Sequence, residues 1–461
     1  MKITVLNGSP KGNLSVTMQY VNFIQKKFPH HELKILNIAS QIKKIEKDTA
    51  AFQEIMDEVR SSDGVLWAFP LYYLLVPSQY KRFIELIWER GTQDVFRNKY
   101  TAALSTSVHF FDHTAHNYMN AICDDLDMKY LGSFSAAMYD LMHGKERERC
   151  SLFASEFFEG IQSHAPTAKK FSPILGRTFD YIPGPAGQRV SLQGKRALVL
   201  ADLKEPDTNL GKMIERFRNS FVEEVSVANL RQLDIKGGCL GCIQCGYDYQ
   251  CSYGDQDEYV RFYKDRVKTA DILIFAGTIQ DRYLSSRWKM FFDRSFFHTH
   301  TPSLTGKQVG FIVSGPLRQI PNLRQIVEAY TEWQQANLVD IVTDEEDHAK
   351  ELDARLQSLA ERVVHLAGKS YIKTKTFLSV GGMKVLRDDV WGKLRFPFQA
   401  DHRFYKEHGL YDFPQRKYKS RLINSILILL TKIPAMRKEI YRKKIKEQMV
   451  RPLQKMLERM E

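Results

Sequence analysis

The sequence predicts an α/β protein made of two doubly wound parallel sheets in tandem, followed by a basic helical C-terminal tail. Three observations carry that prediction. Apolar strand-like runs alternate with amphipathic helical runs, five of each, and the alternation then restarts. A stretch rich in proline and glycine, 164–194, separates the two sets and reads as a linker. The third unit of the first set, 61–87, aligns with 269–295 of the second, which points to a duplication.

In the first set the strand-like runs are 2–8, 33–38, 64–70, 101–108 and 129–137. Helical runs fall near 15–28, 50–62, 78–90, 115–126 and 147–163. Strands as continuously apolar as GVLWAFP (64–70) belong to a sheet covered on both faces. Five such βα units fit a flavodoxin-like sheet, and residues 1–163 are the first expected domain. The second domain, 195–368, has strand-like runs at 196–202, 223–230, 271–278, 307–315 and 339–345. Its helical runs are 209–220, 256–269, 285–297, 322–336 and 348–367. Beyond 369 the alternation stops and an extension runs to 461.

Composition narrows the class. With 43% hydrophobic and 26% charged residues in a chain of 461, a soluble globular protein is expected. No apolar run is long enough to span a bilayer. The start, MKITVLNGSPKG, goes straight into a strand and lacks the regions of a signal peptide. The expectation is a cytoplasmic protein, peripheral to a membrane if the tail binds one. The net charge is +13, but 416–461 holds 14 Lys or Arg against 4 Asp or Glu, so the tail alone contributes +10. The apolar run Ile426–Leu430 leads into this basic segment. Two readings stay open: a helix on an anionic membrane surface, or one packed on the body with a solvated basic face. No nucleic-acid module accompanies the charge, so nucleic acid is not expected. Association with a second copy of the chain is left open.

The loop GSPKGNLSVT (8–17) lies between the first strand and first helix, at the carboxyl edge where open α/β sheets bind ligands. Gly8 and Gly12 permit a tight turn, and Ser9, Asn13, Ser15 and Thr17 offer polar side chains. The free N–H groups and positive dipole end of the helix suit a phosphate. The loop matches neither GxxxxGK[ST] nor GxGxxG, so a single phosphate fits better than a dinucleotide. At the same edge, FPLYYLLVPSQYKRFIE (69–85) brings Pro70, Tyr72 and Tyr73, an aromatic face for a flat ring.

These two motifs resemble those of NADPH-dependent FMN reductases in the flavodoxin-like superfamily, over roughly the first 165 residues. The resemblance implies FMN as cofactor and NAD(P)H as electron donor. It implies contacts from Ser9, Lys11, Asn13, Ser15 and Thr17 to the FMN phosphate, and from Pro70, Leu71 and Tyr72 to the isoalloxazine. The third flavin loop of that family carries small residues. Here it reads STSVHFFDH (105–113), which leaves ring contacts by Ser105, Thr106 and His109 as weaker expectations. His109 reads equally as a surface histidine.

A second chemical signal is GGCLGCIQCGYDYQCSYGDQDE (237–258). Four of the chain's six cysteines, Cys239, Cys242, Cys245 and Cys251, fall within 13 residues. In a reducing compartment such crowding argues for metal or redox chemistry rather than disulfides. The run has no His, and its glycines allow sharp bends. It resembles iron–sulfur flavoproteins, which implies these four as ligands of a [4Fe–4S] cluster. An all-cysteine zinc site and an empty loop are the alternatives.

The second domain departs from the flavin pattern. Its first loop, ADLKEPDTNLGK (201–212), lacks GSP and carries Asp202, Glu205 and Asp207, which repel a phosphate. Its third-strand loop lacks P-x-Y. One FMN, in the first domain, is therefore expected. The function read from the sequence is a flavin-dependent NAD(P)H oxidoreductase that passes electrons, by way of the cysteine loop, to an acceptor it does not identify. The alternative is an electron carrier that works only with a redox-protein partner. No side chain stands out as an acid or base, so no catalytic residue is assigned.

Overall fold

The computed structural model describes residues 1–413, 418–441 and 454. Contacts divide the chain into two units, Met1–Phe404 and Tyr405–Glu461. The first unit holds both sheets.

The first sheet contains β1 (Lys2–Asn7), β2 (Glu32–Asn37), β3 (Gly64–Pro70), β4 (Tyr100–Ser107) and β5 (Lys129–Ala137). They are parallel, in the order β2-β1-β3-β4-β5. The intervening helices are α1 (Val16–Lys27), α2 (Ile42–Lys47), α3 (Thr49–Ser61), α4 (Ser78–Glu89), α5 (Asp112–Asp125) and α6 (Gly144–Gln162). Local chemistry sets several starts. Ser15 caps α1 by accepting from the Met18 amide, and Asp48 caps α3 by accepting from Ala50 and Ala51. β3 is buried from Gly64 through Phe69, as its unbroken apolar run requires.

The second sheet contains β6 (Ala197–Ala201), β7 (Ser226–Asn229), β8 (Ile272–Thr278), β9 (Gln308–Ser314) and β10 (Asn337–Thr343). It repeats the first order, read β7-β6-β8-β9-β10, again all parallel. Its helices are α7 (Asn209–Arg218), α8 (Cys245–Asp248), α9 (Tyr259–Phe262), α10 (Ser286–Arg294), α11 (Pro321–Trp333) and α12 (Ala349–Gly368). The helical run expected at 256–269 is broken up: α9 passes into a π-helical turn at 263–267, which buries Tyr263 and Val267. Residues 164–194 form no helix or strand of their own but are tied down along the body, for example by the Lys170 and Phe171 amides on Asp124.

Two helices follow, α13 (Phe377–Trp391) and α14 (Gln399–Glu407). α13 packs on α11, where Glu332 accepts from the Thr376 amide and hydroxyl at the start of α13. In the second unit lie α15 (Tyr418–Leu430) and α16 (Pro434–Glu439). Most of the basic segment beyond Tyr441 lies outside the described residues.

The two sheets meet through α4 and α10, which pack against each other. Their residues correspond at a displacement of 208, so the seam has an approximate two-fold character. Ser78 donates its amide to Asp293 at 2.7 Å, and its counterpart Ser286 donates its amide to Glu85 at 2.5 Å. Lys81 bonds Glu85 one turn on and reaches across to Asp281, both at 2.8 Å. Its counterpart Lys289 bonds Asp293 and reaches across to the Tyr72 carbonyl at 2.8 Å. Lys81, Lys289 and Asp293 are completely buried. Burial pulls the Lys81 ammonium down, but Asp281 and Glu85 outweigh it and keep the lysine charged. At the matched pair burial wins, lowering Lys289 and raising Asp293.

Candidate functional site

A cavity of about 220 Å³ lies at the carboxyl edge of the first sheet, on the seam between the halves. One wall is the first half's own: Lys11, Ser15 and Thr17 at the start of α1, Pro70–Tyr73 after β3, and Thr106–Val108 after β4. The opposite wall comes from the second half, through Cys239, Gly241 and Ile243 of the cysteine loop, Asp293 at the end of α10 and Phe296 just after it. Trp333, Leu386 and Phe398 close it.

The first wall is set by the turn after β3. Tyr72 and Leu75 exchange backbone hydrogen bonds at 2.9 and 3.1 Å, while Tyr73 and Leu74 take positive φ between them. The Leu71 amide donates to the Thr106 carbonyl, which ties this turn to β4. Of the residues expected at a flavin, Lys11, Ser15, Thr17, Pro70, Leu71, Tyr72 and Thr106 line one cavity. Ser9, Asn13 and Ser105 do not line it. Ser9 is buried, its amide donating to Asn7 and its hydroxyl accepting from the Lys11 amide. Asn13 is exposed. Ser105 is buried and bonds His116 at 2.8 Å. Burial lowers that histidine to about 4, so it is neutral near pH 7. Thr17 and Thr106 share a hydrogen bond of 2.6 Å. His109 lies half exposed, bonded to Asp112 at 3.0 Å. The expectations missed Phe296, Trp333 and Leu386, whose segments read only as helix or extension.

The cysteine loop reaches this cavity from the second half. Gly241 has φ +64°, and a Cβ there would stand 1.9 Å from the Tyr72 hydroxyl oxygen and 3.7 Å from Lys11 Cε. Only glycine both adopts that backbone and lets it approach so closely. Gly238 is equally confined, its Cβ position 2.3 Å from Ser78 Oγ, and Gln79 Nε2 donates to the Cys239 carbonyl at 3.0 Å. The loop is thus seated on the turn after β3 of the first half. Burial holds the Tyr72 phenol well above its ordinary range, and Cys239, Asp293 and Cys242 add to the effect.

Two of the four thiols, Cys239 and Cys245, are shifted upward. Burial pushes Cys239 up to about 12, with Asp293, Cys242 and Cys251 contributing. Burial likewise raises Cys245, reinforced by the other three cysteines of the run. Cys242 is exposed and lies 3.3 Å from Ser252 Oγ. Cys251 lies 4.0 Å from Arg294, whose guanidinium stacks over Tyr253 and pairs with Asp257. All six cysteines are free. Among the described residues, no three Cys, His, Asp or Glu side chains converge on a single metal ion. The donor types fit an iron–sulfur ligand set, four thiols in one loop with no histidine among them. Because the buried thiols are protonated, loading a metal would release protons.

The corresponding edge of the second half is built differently. Asp202 takes the place of Gly8, each donating its amide to the neighbouring strand, to Ala276 and Ala68. The Asp202 carboxylate is buried and bonded to Ser285 and Arg231. The loop also folds onto its own helix, with the Pro206 carbonyl 2.1 Å from where a Gly211 Cβ would sit. A carboxylate and a carbonyl thus stand where a phosphate would need donors.

Residues 1–140 match the family model for NADPH-dependent FMN reductase. No curated protein matches the chain. Among solved structures, the flavoenzyme NAD(P)H:(acceptor) oxidoreductase FerB from Paracoccus denitrificans aligns at 18% identity with a TM-score of 0.28, covering 35% of this chain and 98% of its own. The general stress protein 14 of Treponema denticola, solved in complex with FMN, aligns at 11% identity with a TM-score of 0.27, covering 35% and 98%. With its phosphate-type loop and its P-x-Y turn, the parallel α/β segment 1–140 is similar to the NADPH-dependent FMN reductase family, whose model it matches.

Proposed function

We propose that the chain is a flavin-dependent NAD(P)H oxidoreductase with one FMN in its first half, and that the cysteines form a second redox centre beside it. The observation that carries this reading is the seating of Gly241 on Tyr72, which puts the cysteine loop into the wall of the flavin-side cavity. Bound FMN would supply hydride acceptance from a reduced nicotinamide and release of the electrons onward.

The chain's own residues do the holding. Lys11 and the amides that open α1 would take the phosphate, with Ser15 already ordering that turn as its cap. Leu71, Tyr72, Phe296 and Trp333 offer apolar surface for a flat ring and exclude water from it. Tyr72 stays protonated and can donate a hydrogen bond. Cys239, Cys242, Cys245 and Cys251 would hold a [4Fe–4S] cluster, which would supply one-electron transfer.

Anaerobic purification with metal analysis and stopped-flow reduction by NADH and NADPH tests this reading. Either nicotinamide should bleach the flavin quickly. Cys242→Ser should lose most of the iron yet keep FMN, because the first half's loops are untouched, and onward electron transfer should slow. Stoichiometric zinc, or four independently reacting thiols, would remove the cluster. Bleaching by a protein donor alone would make the chain an electron carrier.

A second property is favoured by the exposed tail. α15 leaves Leu422, Ile423, Ile426, Ile428 and Leu429 between 51% and 64% exposed, and α16 follows with Arg437 and Lys438. No described helix is long and apolar enough to cross a membrane. We propose that this segment lies on an anionic membrane surface. Removal of 416–461 should abolish sedimentation with phosphatidylserine vesicles and leave flavin reduction intact. Vesicle binding by the full chain should also fade with added salt. Unchanged sedimentation, or loss of flavin on truncation, would contradict the assignment.

A further inference from the structure

The seam carries a second, larger concavity. It is a cleft of about 1040 Å³ that lies on the other side of the cysteine loop from the flavin-side cavity. Matched residues of both halves line it, Ser78 with Ser286 and Arg82 with Met290, together with the loops after β2 and β7.

Its charge is one-sided. Three carboxylates line the cleft, Glu46, Glu85 and Glu89, and all three bond Arg82. Arg231 and Lys236 pair with Asp202 and Asp234. Lys43, Lys44, Lys204 and Arg287 remain, and among the described residues none of them makes an ion pair. Arg287 is the informative one. It stands where the first half has Gln79, it is half-buried, and its described hydrogen bond goes to the Leu230 carbonyl at 3.2 Å. Burial lowers its guanidinium; Asp202 and Glu46 oppose the shift, while Arg231 and Arg82 add to it. A half-buried charge with no carboxylate in contact is costly, and an anion in the cleft would relieve it. The remaining lining includes Ile42, Ile235 and Met290, apolar surface for a base or sugar.

We propose that this cleft binds a nucleoside diphosphate, its phosphates on Lys43, Lys204 and Arg287 and its nucleoside against the apolar lining. The ligand is not the flavin's hydride donor. Gly237 and Gly238 face the cleft while Cys239 faces the flavin-side cavity, so a span of backbone stands between the two. Hydride transfer needs reacting atoms about 3–3.5 Å apart, so a ligand seated wholly in the cleft would not reach the flavin-side cavity. The site does not depend on whether the cysteines hold a cluster. Its concavity suits a small polyanion better than a protein surface.

Calorimetry on the FMN-loaded full chain tests the assignment with ADP, adenosine and inorganic pyrophosphate as probes. ADP should bind more tightly than either of the others, and its affinity should fall with salt. Arg287→Gln and Lys204→Glu should each weaken ADP by about tenfold or more, the loss of one charged contact. Flavin content and absorbance should not change in either variant, which reports an intact fold and a separate site. Equal binding of ADP and adenosine would overturn the proposal, as would wild-type ADP affinity in both variants or displacement of the flavin by ADP. Pyrophosphate binding as tight as ADP would remove the nucleoside from the assignment. No ADP binding at all would leave the basic wall to an acidic protein partner and refute the site.

Discussion

Lys289→Met should destabilise the chain by about 3–5 kcal/mol, the usual cost of leaving one member of a buried ion pair alone. Lys289 and Asp293 are both completely out of water. Methionine fills the space of the lysine stem but offers Asp293 no proton donor and removes the hydrogen bond to the Tyr72 carbonyl. Asp293 keeps the backbone and side-chain donors of Ser78 from the other half. Burial already raises Asp293, and without its lysine it would hold a proton more firmly still. A carboxyl whose folded pKa exceeds its unfolded value of about 3.9 gives stability that is full below that pH and is lost as pH rises. The deficit of the variant should therefore be small near pH 4 and large near pH 7. Urea unfolding at both pH values measures it. Adding Asp293→Asn keeps an acceptor for Ser78 and removes the charge, so the double variant should recover most of the loss. A single variant within about 1 kcal/mol of the parent at pH 7 would mean that the pair contributes little to the seam.

Gly241→Val should weaken FMN binding by at least about tenfold, measured by quenching of flavin fluorescence. The new side chain meets the Tyr72 hydroxyl, and the residue is held at φ +64°, where a β-branched side chain is strained. The cysteine loop must then lift off the turn at 70–73 and open the flavin-side wall. Gly241→Ala should be milder, and combining it with Tyr72→Phe should restore part of the affinity, since the nearest clashing atom is gone while the backbone strain remains. Parental flavin affinity in both Gly241 variants would separate the cysteine loop from the flavin site.

Much of the architecture was legible because it is written in local patterns. Short runs such as GVLWAFP and DILIFAGT, apolar throughout and rich in β-branched and aromatic residues, read as strands buried on both faces, and β3 and β8 lie there. The phosphate-type loop and the P-x-Y turn were legible because each is contiguous, and Lys11, Ser15, Thr17 and Tyr72 do share a cavity. The seam was not legible. Lys289 and Tyr72 are 217 positions apart, and nothing at either position announces the other. The glycines of the cysteine loop suggested bends, yet Gly241 is required by a tyrosine of the other half. Trp333 and Leu386 were hidden for the same reason, since an apolar residue on a helix reads the same whether it faces a core or a cavity.

The seam between α4 and α10 also sets the terms on which the flavin-side wall can change. Two copies of one chain meeting about an axis would carry every substitution twice and would separate on dilution. Here the two faces share one polypeptide, so each meets the other at a fixed effective concentration that no dilution lowers. The two faces also differ: Arg287 stands on one where Gln79 stands on the other. One half can therefore carry a cysteine run and the other the loop 8–17 without either change being imposed on both.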